Sequence, residues 1–265
     1  MKDFLKPIVE RTRAENLRRH RHASLRRVPV RSPEPGRGVA ALRALRRTAG
    51  TPPRVMAELK FRSPSAGEIA KWAPGEGVRI ARAYEQAGAS VVSVLADGPG
   101  FGGSPLQVRR VASAVSVPVL FKGFVLDPVQ VELAFDVGAS LVLLLVRVLE
   151  EVELRELVLR IEQLGMEPVV EAADRDEVKR AVDTGAAIVG VNARNLRTFQ
   201  VDMDAAARCM EEIPSDRVAV FMSGVRSPAD FHNVARGRAD AVLIGEGLMR
   251  SQDPAKQLAD FRKGL

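Results

Sequence analysis

Apolar residues along the chain fall into short runs that alternate with amphipathic stretches. Strand-like runs stand at 54–59, 90–95, 117–121, 140–146, 167–171, 187–191, 217–222 and 240–244. Between most of them the apolar positions take a helical spacing, at 75–88, 105–114, 127–137, 150–164, 174–184, 203–212 and 227–236, and a last such stretch, 253–263, follows the eighth run. Gly138, Gly165 and Gly185 sit where helices end, just before the next strand. Eight strands each leading to a helix predict an α/β fold, a (β/α)8 TIM barrel. A doubly wound sheet shares this local pattern, because periodicity does not count closure.

Ahead of the first run, residues 3–22 read as a helix with Phe4, Ile8 and Leu17 among charges. Residues 28–37 hold Pro29, Pro33, Pro35 and Gly36 and read as a loop. A short helix, Val39 to Arg47, follows, and Thr51-Pro52-Pro53 closes the segment. The expected organisation is a single domain with residues 1–53 as an N-terminal helical extension packing on a barrel of residues 54–265. Deleting residues 1–50 is then expected to test the first helix alone.

Composition changes this picture little, and charge changes it at one place. Hydrophobic residues make up 46% and charged residues 28%, enough for a sizeable core. The net charge is +7, yet residues 1–53 hold 14 Lys/Arg against 4 Asp/Glu, so the basic excess belongs to the extension. A basic arm can bind nucleic acid. Here no aromatic residues interleave with the arginines, which favours a solvated arginine-rich helix, and no nucleic-acid partner is expected. Cys209 is the only cysteine and reads as a small buried residue on a helix, which excludes an internal disulfide and points to a reducing compartment. The first six residues lack an apolar leader, and the longest apolar run, Ala139 to Val148, is well short of the roughly 20 residues of a membrane span. A cytoplasmic location without membrane contact follows as the expectation. His20, His22 and His232 lie far from the strand ends, with His20 and His22 as a surface pair, so no metal site is expected. Trp72 follows the first strand and reads as lid packing or core.

In a barrel the chemistry collects at the C-terminal ends of the strands. The first strand ends in Glu58-Leu59-Lys60, and strand alternation puts Glu58 and Lys60 on one face. The second offers Ser93 and Asp97, the third Lys122-Gly123-Phe124, the fifth Glu171 and the sixth Asn192-Ala193-Arg194-Asn195. Two lysines and two glutamates at one mouth can supply acids, bases and charge for an anionic substrate. A ring of ion pairs capping the barrel is the bland alternative; it would be expected at both ends, and the opposite ends read as apolar and small only. Strands seven and eight run into Ser223-Gly224 and Gly245-Glu246-Gly247. Glycine lets backbone N–H groups approach a ligand, and these loops are the usual phosphate site of barrels. Glu246 is expected to point away from that phosphate.

Taken together, Glu58-Leu59-Lys60-Phe61-Arg62-Ser63-Pro64-Ser65, Ser93-Val94-Leu95, Lys122-Gly123-Phe124, Val170-Glu171, Gly190-Val191-Asn192-Ala193-Arg194-Asn195-Leu196, Ser223-Gly224-Val225 and Ile244-Gly245-Glu246-Gly247-Leu248-Met249 resemble the indole-3-glycerol phosphate synthase family. That family closes an indole ring on 1-(2-carboxyphenylamino)-1-deoxyribulose 5-phosphate with loss of carbon dioxide and water. The resemblance implies Lys122 as the acid at the ribulose carbonyl, its pKa lowered by the mouth. It implies Lys60 as the partner of the substrate carboxylate, and Glu58 and Glu171 as proton carriers. Asn192 would hold a carboxylate or hydroxyl, while Ser223 and Arg194 would line the pocket. Ser65 with the backbone of Gly224, Gly245 and Glu246 would hold the phosphate. Leu95, Phe124 and Leu145 would flank the aromatic ring. No cofactor is implied; the partner is a small anion with phosphate and carboxylate, and the chain is expected as a monomer or weak homodimer.

Three positions depart from the family's usual residues. Gly123 stands for aspartate, Met222 for glutamate and Ala173 for histidine. They keep open a divergent paralog that is slow, has a changed substrate or only binds a phosphorylated metabolite. A related ribulose-phosphate isomerase or epimerase barrel would not need two lysines with two glutamates. A non-catalytic barrel docking through residues 1–53 is the reading from another class.

Overall fold

Eight parallel strands close on themselves in this computed structural model, which describes residues 4–24, 34, 36–195 and 198–263, the side chains of residues 22–24 excepted. They are β1 (Arg54–Leu59), β2 (Val91–Leu95), β3 (Val119–Lys122), β4 (Leu141–Leu145), β5 (Glu167–Ala172), β6 (Ile188–Asn192), β7 (Val218–Met222) and β8 (Ala241–Ile244). Each pairs with the next, and β8 pairs with β1 through Arg54↔Ala241 to Ala57↔Ile244. Closure excludes the doubly wound sheet. Helices α1 (Leu5–Ser24) and α2 (Arg37–Leu45) precede the barrel. Helices α3 (Glu76–Gln86), α4 (Pro105–Ala112), α5 (Pro128–Asp136), α6 (Glu151–Gln163), α7 (Arg175–Asp183), α8 (Met203–Met210), α9 (Pro228–Ala235), the short α10 (Glu246–Met249) and α11 (Pro254–Arg262) complete it.

Local chemistry marks the helix starts. Ser104, Asp127, Ser227 and Asp253 each accept a backbone N–H from the first turn, and each is followed by a proline at the first helical position. The strand expected to reach residue 146 stops at Leu145, where Val146–Val148 turns into a short 3-10 helix. A two-residue hairpin, Arg62–Ser63 against Gly67–Glu68, was not legible in the pattern. Most of the proline-rich loop at 28–37 lies outside the described residues, as does Leu196.

The barrel interior is a packed cluster that includes Met56, Val91, Leu120, Leu143, Val169, Ile188, Val220 and Leu243, and Ala41 and Leu45 of α2 belong to it. Helix α2 therefore plugs the N-terminal end of the barrel. Gly38 makes this possible: its N–H donates to the Gly165 carbonyl at 2.8 Å, and a Cβ there would lie 2.8 Å from the Met166 carbonyl carbon. That end is not only apolar and small, as its sequence reads. Asp240, buried just before β8, accepts from Arg238 at 2.7 Å, from the Ala219 N–H at 2.9 Å and from the Arg47 N–H at 3.3 Å.

Helix α1 lies at the opposite end, against α5 and the loops that follow β2 and β3. Its polar side chains reach the barrel through Arg11–Asp97 at 2.8 Å, Arg13–Glu153 at 3.3 Å and Asn16–Gln130 at 2.7 Å. His20 meets Asp127 at 2.9 Å, and the side chain of His22 is outside the described residues. Among the described residues, Arg11, Arg13, Arg37, Arg46 and Arg47 of the extension thus have partners on the barrel. No helix among the described residues is long and apolar enough to cross a membrane.

Candidate active site

Along β1 the inward positions are Met56 in the core and Glu58 at the top, with Lys60 just beyond the strand. Glu58 is 1% exposed, and its Oε1 lies 2.8 Å from Lys60 Nζ. Gly245 gives this pair room, since a Cβ there would lie 2.6 Å from Glu58 Oε1 and 3.3 Å from Lys60 Nζ. Burial alone would raise the Glu58 pKa, but the charges of Lys60 and Lys122 outweigh it and hold the carboxyl below its ordinary range. Across the barrel, Lys122 Nζ donates to Glu171 Oε2 at 3.3 Å. Asn192 orients that carboxylate: its Nδ2 donates to Glu171 Oε1 at 2.7 Å, and its Oδ1 accepts the Arg194 N–H at 2.9 Å.

The Lys122 amine is raised above its ordinary value, not lowered. Burial pulls it down, and the nearby carboxylates Glu171 and Glu58 more than offset this. The second cation, Lys60, is ion-paired with Glu58. Lys122 is therefore a charged ammonium at neutral pH, a proton donor and an anion partner.

These groups face one cavity of about 110 Å³ at the C-terminal end of the strands. Its lining includes Glu58, Lys60, Ser65, Lys122, Glu171, Asn192, Arg194, Ser223 and Glu246, together with Leu95, Phe124 and Leu145.

A model of the family described as indole-3-glycerol phosphate synthase matches residues 5–261. A protein named indole-3-glycerol phosphate synthase from Parafrankia sp. is 43% identical over 260 residues, 97% of this chain and 94% of that one. One from Streptomyces coelicolor, named indole-3-glycerol phosphate synthase 1, is 42% identical over the same shares. The chain belongs to the indole-3-glycerol phosphate synthase family. Among solved structures, 3-hexulose-6-phosphate synthase from Salmonella typhimurium aligns with a TM-score of 0.63 at 14% identity, over 79% of this chain and 97% of that one. At that identity the likeness is one of fold.

Within this synthase family fold, two expected phosphate-site residues stand outside the cavity lining. Gly224 and Gly245 do not line it. Gly224 has φ 87, and a Cβ there would press on Val201 and Met203 at 2.9 and 3.0 Å, so backbone geometry and packing already require glycine. Glu246 does line the cavity; Arg250 holds it at 3.0 Å and Arg194 Nη2 lies 3.9 Å away. Trp72 is 58% exposed and does not line this cavity, so it is not part of the core.

The cavity also has walls that no strand pattern indicates. Phe4 and Leu5 come from the start of α1, Phe101 from the loop after β2 and Phe199 from the loop after β6. Phe4 packs edge-on against Phe199 at 5.1 Å, and Phe101 meets Phe124 at 6.0 Å. Loop residues have no period to read, and α1 reaches the mouth only through the tertiary fold.

The three departures have physical settings. Met222 lines the cavity with an apolar side chain laid over Gly190, where a Cβ would lie 2.5 Å from Met222 Cε. Gly123 lies between Lys122 and Phe124 with only ordinary contacts around a would-be Cβ, 3.4 Å to Phe121 and 3.5 Å to Ala96. The Ala173 N–H donates to Glu177 Oε2 at 2.9 Å.

Proposed function

We propose that the chain converts 1-(2-carboxyphenylamino)-1-deoxyribulose 5-phosphate to indole-3-glycerol phosphate, releasing carbon dioxide and water. It would act as a carboxy-lyase of tryptophan biosynthesis. Membership of the synthase family carries this reading, and the convergence of Lys60, Lys122, Glu58 and Glu171 on one cavity supports it.

In this reading the phosphate lies by Ser65 and Glu246 on the cavity wall, toward the backbone of Gly224 and Gly245, whose neighbours Ser223 and Glu246 line the cavity, and the substrate carboxylate pairs with Lys60. Leu95, Phe124 and Leu145 flank the aromatic ring, and Ser223 and Arg194 close the pocket around the sugar. Lys122 gives its proton to the ribulose carbonyl as the ring carbon that bears the carboxylate attacks it. A carbon–carbon bond forms, and the carbonyl π pair becomes a hydroxyl. The bond to the carboxylate breaks, carbon dioxide leaves, and its electron pair restores the aromatic ring. Lys60 then protonates the departing hydroxyl, which leaves as water. Glu171, held by Asn192, takes the proton that the sugar carbon loses, and Glu58 relays protons to Lys60. Apolar walls exclude water, so each charge counts for more than it would in solvent.

Incubating the protein with this substrate and following indole fluorescence tests the reading. A second reading, substrate binding with slow or altered turnover, is favoured by the apolar Met222 side chain in the cavity. Tight binding with no fluorescence rise would support it. A location in the cytoplasm fits the single buried Cys209.

A further inference from the structure

One of the contacts between α1 and the barrel ends on a buried amide. Gln130, on α5, is 6% exposed. Its Oε1 accepts from Asn16 Nδ2 at 2.7 Å and from the Leu126 N–H at 2.9 Å, and its Nε2 donates to the Phe124 carbonyl at 2.8 Å. The orientation is determined, because turning the amide over would face its NH2 against two donors. Asn16 is 3% exposed and accepts from Arg19 at 3.2 Å, so its own orientation is set as well.

This network joins two cavity walls. One is α1, whose start carries Phe4 and Leu5; the other is the loop after β3, which carries Gly123 and Phe124. Val125 and Leu126 anchor the far part of the loop in the core, whereas Gly123 and Phe124, which line the cavity, are only half-buried. Gly123 offers no side chain to anchor it, and a second cavity of about 50 Å³ lies behind it, lined among others by Thr12, Asp97, Gly123, Phe124 and Gln130. Beside that void, hydrogen bonds count for more in the position of Phe124. The Arg11–Asp97 pair also ties α1 to the mouth, but the arginine side chain is 31% exposed and the contact is more readily screened.

We propose that Gln130 is a positioning residue for the aromatic end of the substrate. It sets the Phe124 backbone, and through Asn16 it holds α1 as the facing wall. The inference rests on the reading that Phe124 flanks the aromatic ring. It predicts a selective effect, because the phosphate end is built from β1, β7 and β8 and does not touch this network.

The experiment measures steady-state kinetics and inhibition by two fragments, anthranilate for the aromatic end and inorganic phosphate for the other. Gln130→Met keeps the length of the side chain and removes all three hydrogen bonds. KM and the anthranilate inhibition constant are expected to rise about tenfold, the loss of roughly one hydrogen bond's worth of ordering, with kcat and phosphate inhibition changed less than about twofold. Equal weakening of both fragments, or a lower melting temperature with neither changed, would overturn the proposal. Asn16→Ala cuts only the arm to α1 and keeps the question open to test if Gln130→Met does not fold; a rise of about threefold for anthranilate alone is expected. Phe124→Ala separates the two levels. If it leaves anthranilate inhibition unchanged, the reading of the ring site fails and the inference falls with it. If it weakens anthranilate while Gln130→Met and Asn16→Ala do not, the ring site stands and Gln130 has no positioning role.

Discussion

Ser223 and Phe199 are the two non-glycine residues with left-handed backbone angles among the described residues, at φ 68 and 59, and both line the cavity. Such a conformation costs on the order of 1 kcal/mol and persists where surrounding structure imposes it, most often at functional sites. Ser223→Gly removes the strain and the hydroxyl together. Its melting temperature is expected to equal or exceed that of the parent while turnover falls; a normal rate would remove Ser223 from the site. Lys122→Met is expected to cut turnover at least about 100-fold with an unchanged circular dichroism spectrum, as loss of a general acid does. The titrations of this site have defined signs. The Lys122 pKa is raised in the folded state, so its contribution to stability is complete below the ordinary 10.5 and is lost as pH rises through the higher folded value. Glu58 is lowered, so its contribution is present above 4.5 and is lost as pH falls through the folded value. The pH profile of kcat/KM, which reports the free enzyme, is therefore expected to show no alkaline limb from Lys122 below about pH 10. A limb near neutrality assigned to this lysine would contradict the arrangement seen here.

At the scale of elements, the extension divides into two parts with opposite tasks. Helix α2 contributes Ala41 and Leu45 to the barrel interior, and α1 contributes Phe4 and Leu5 to the mouth. Deleting residues 1–50 therefore does not test the first helix alone; it also removes the floor of the barrel. Removal of residues 1–24 is expected to raise KM with a modest loss of stability. Removal of 1–50 exposes interior side chains such as Met56 and Val91 and is expected to give aggregated or partly unfolded protein, read by size exclusion and urea titration. Equal behaviour of the two truncations would refute the division. Helix starts were legible because the signal is local: a Ser or Asp cap followed by proline needs only its own first turn. The role of α2 was not legible, because Gly38 owes its necessity to Met166 and Glu167, more than a hundred residues away.

Over the whole molecule the two barrel ends separate chemistry from stability. Lys60, Lys122, Glu58 and Glu171 face the C-terminal mouth, whereas Asp240 ties Arg238, Ala219 and the Arg47 backbone at the other end. Asp240→Ala leaves Arg238 without its carboxylate and is expected to cost about 3 kcal/mol in urea unfolding, with kcat close to the parent value. A large loss of kcat at unchanged stability would reverse the assignment of that end. The sequence by itself determined the eight strand–helix units, their order and the polar residues at their ends, because strand and helix periods are set by neighbours a few residues apart. It placed Glu58 with Lys60 on one face for the same reason. The tertiary structure alone decided that the sheet closes, that Lys122 meets Glu171 and gains rather than loses proton affinity, and that α1 and α2 seal opposite ends. It alone brought Phe4, Phe101 and Phe199 into one cavity. Those outcomes depend on contacts such as Arg11–Asp97, Asn16–Gln130 and Arg47–Asp240, separated by 86, 114 and 193 positions, and partners so distant leave no periodic trace in the chain.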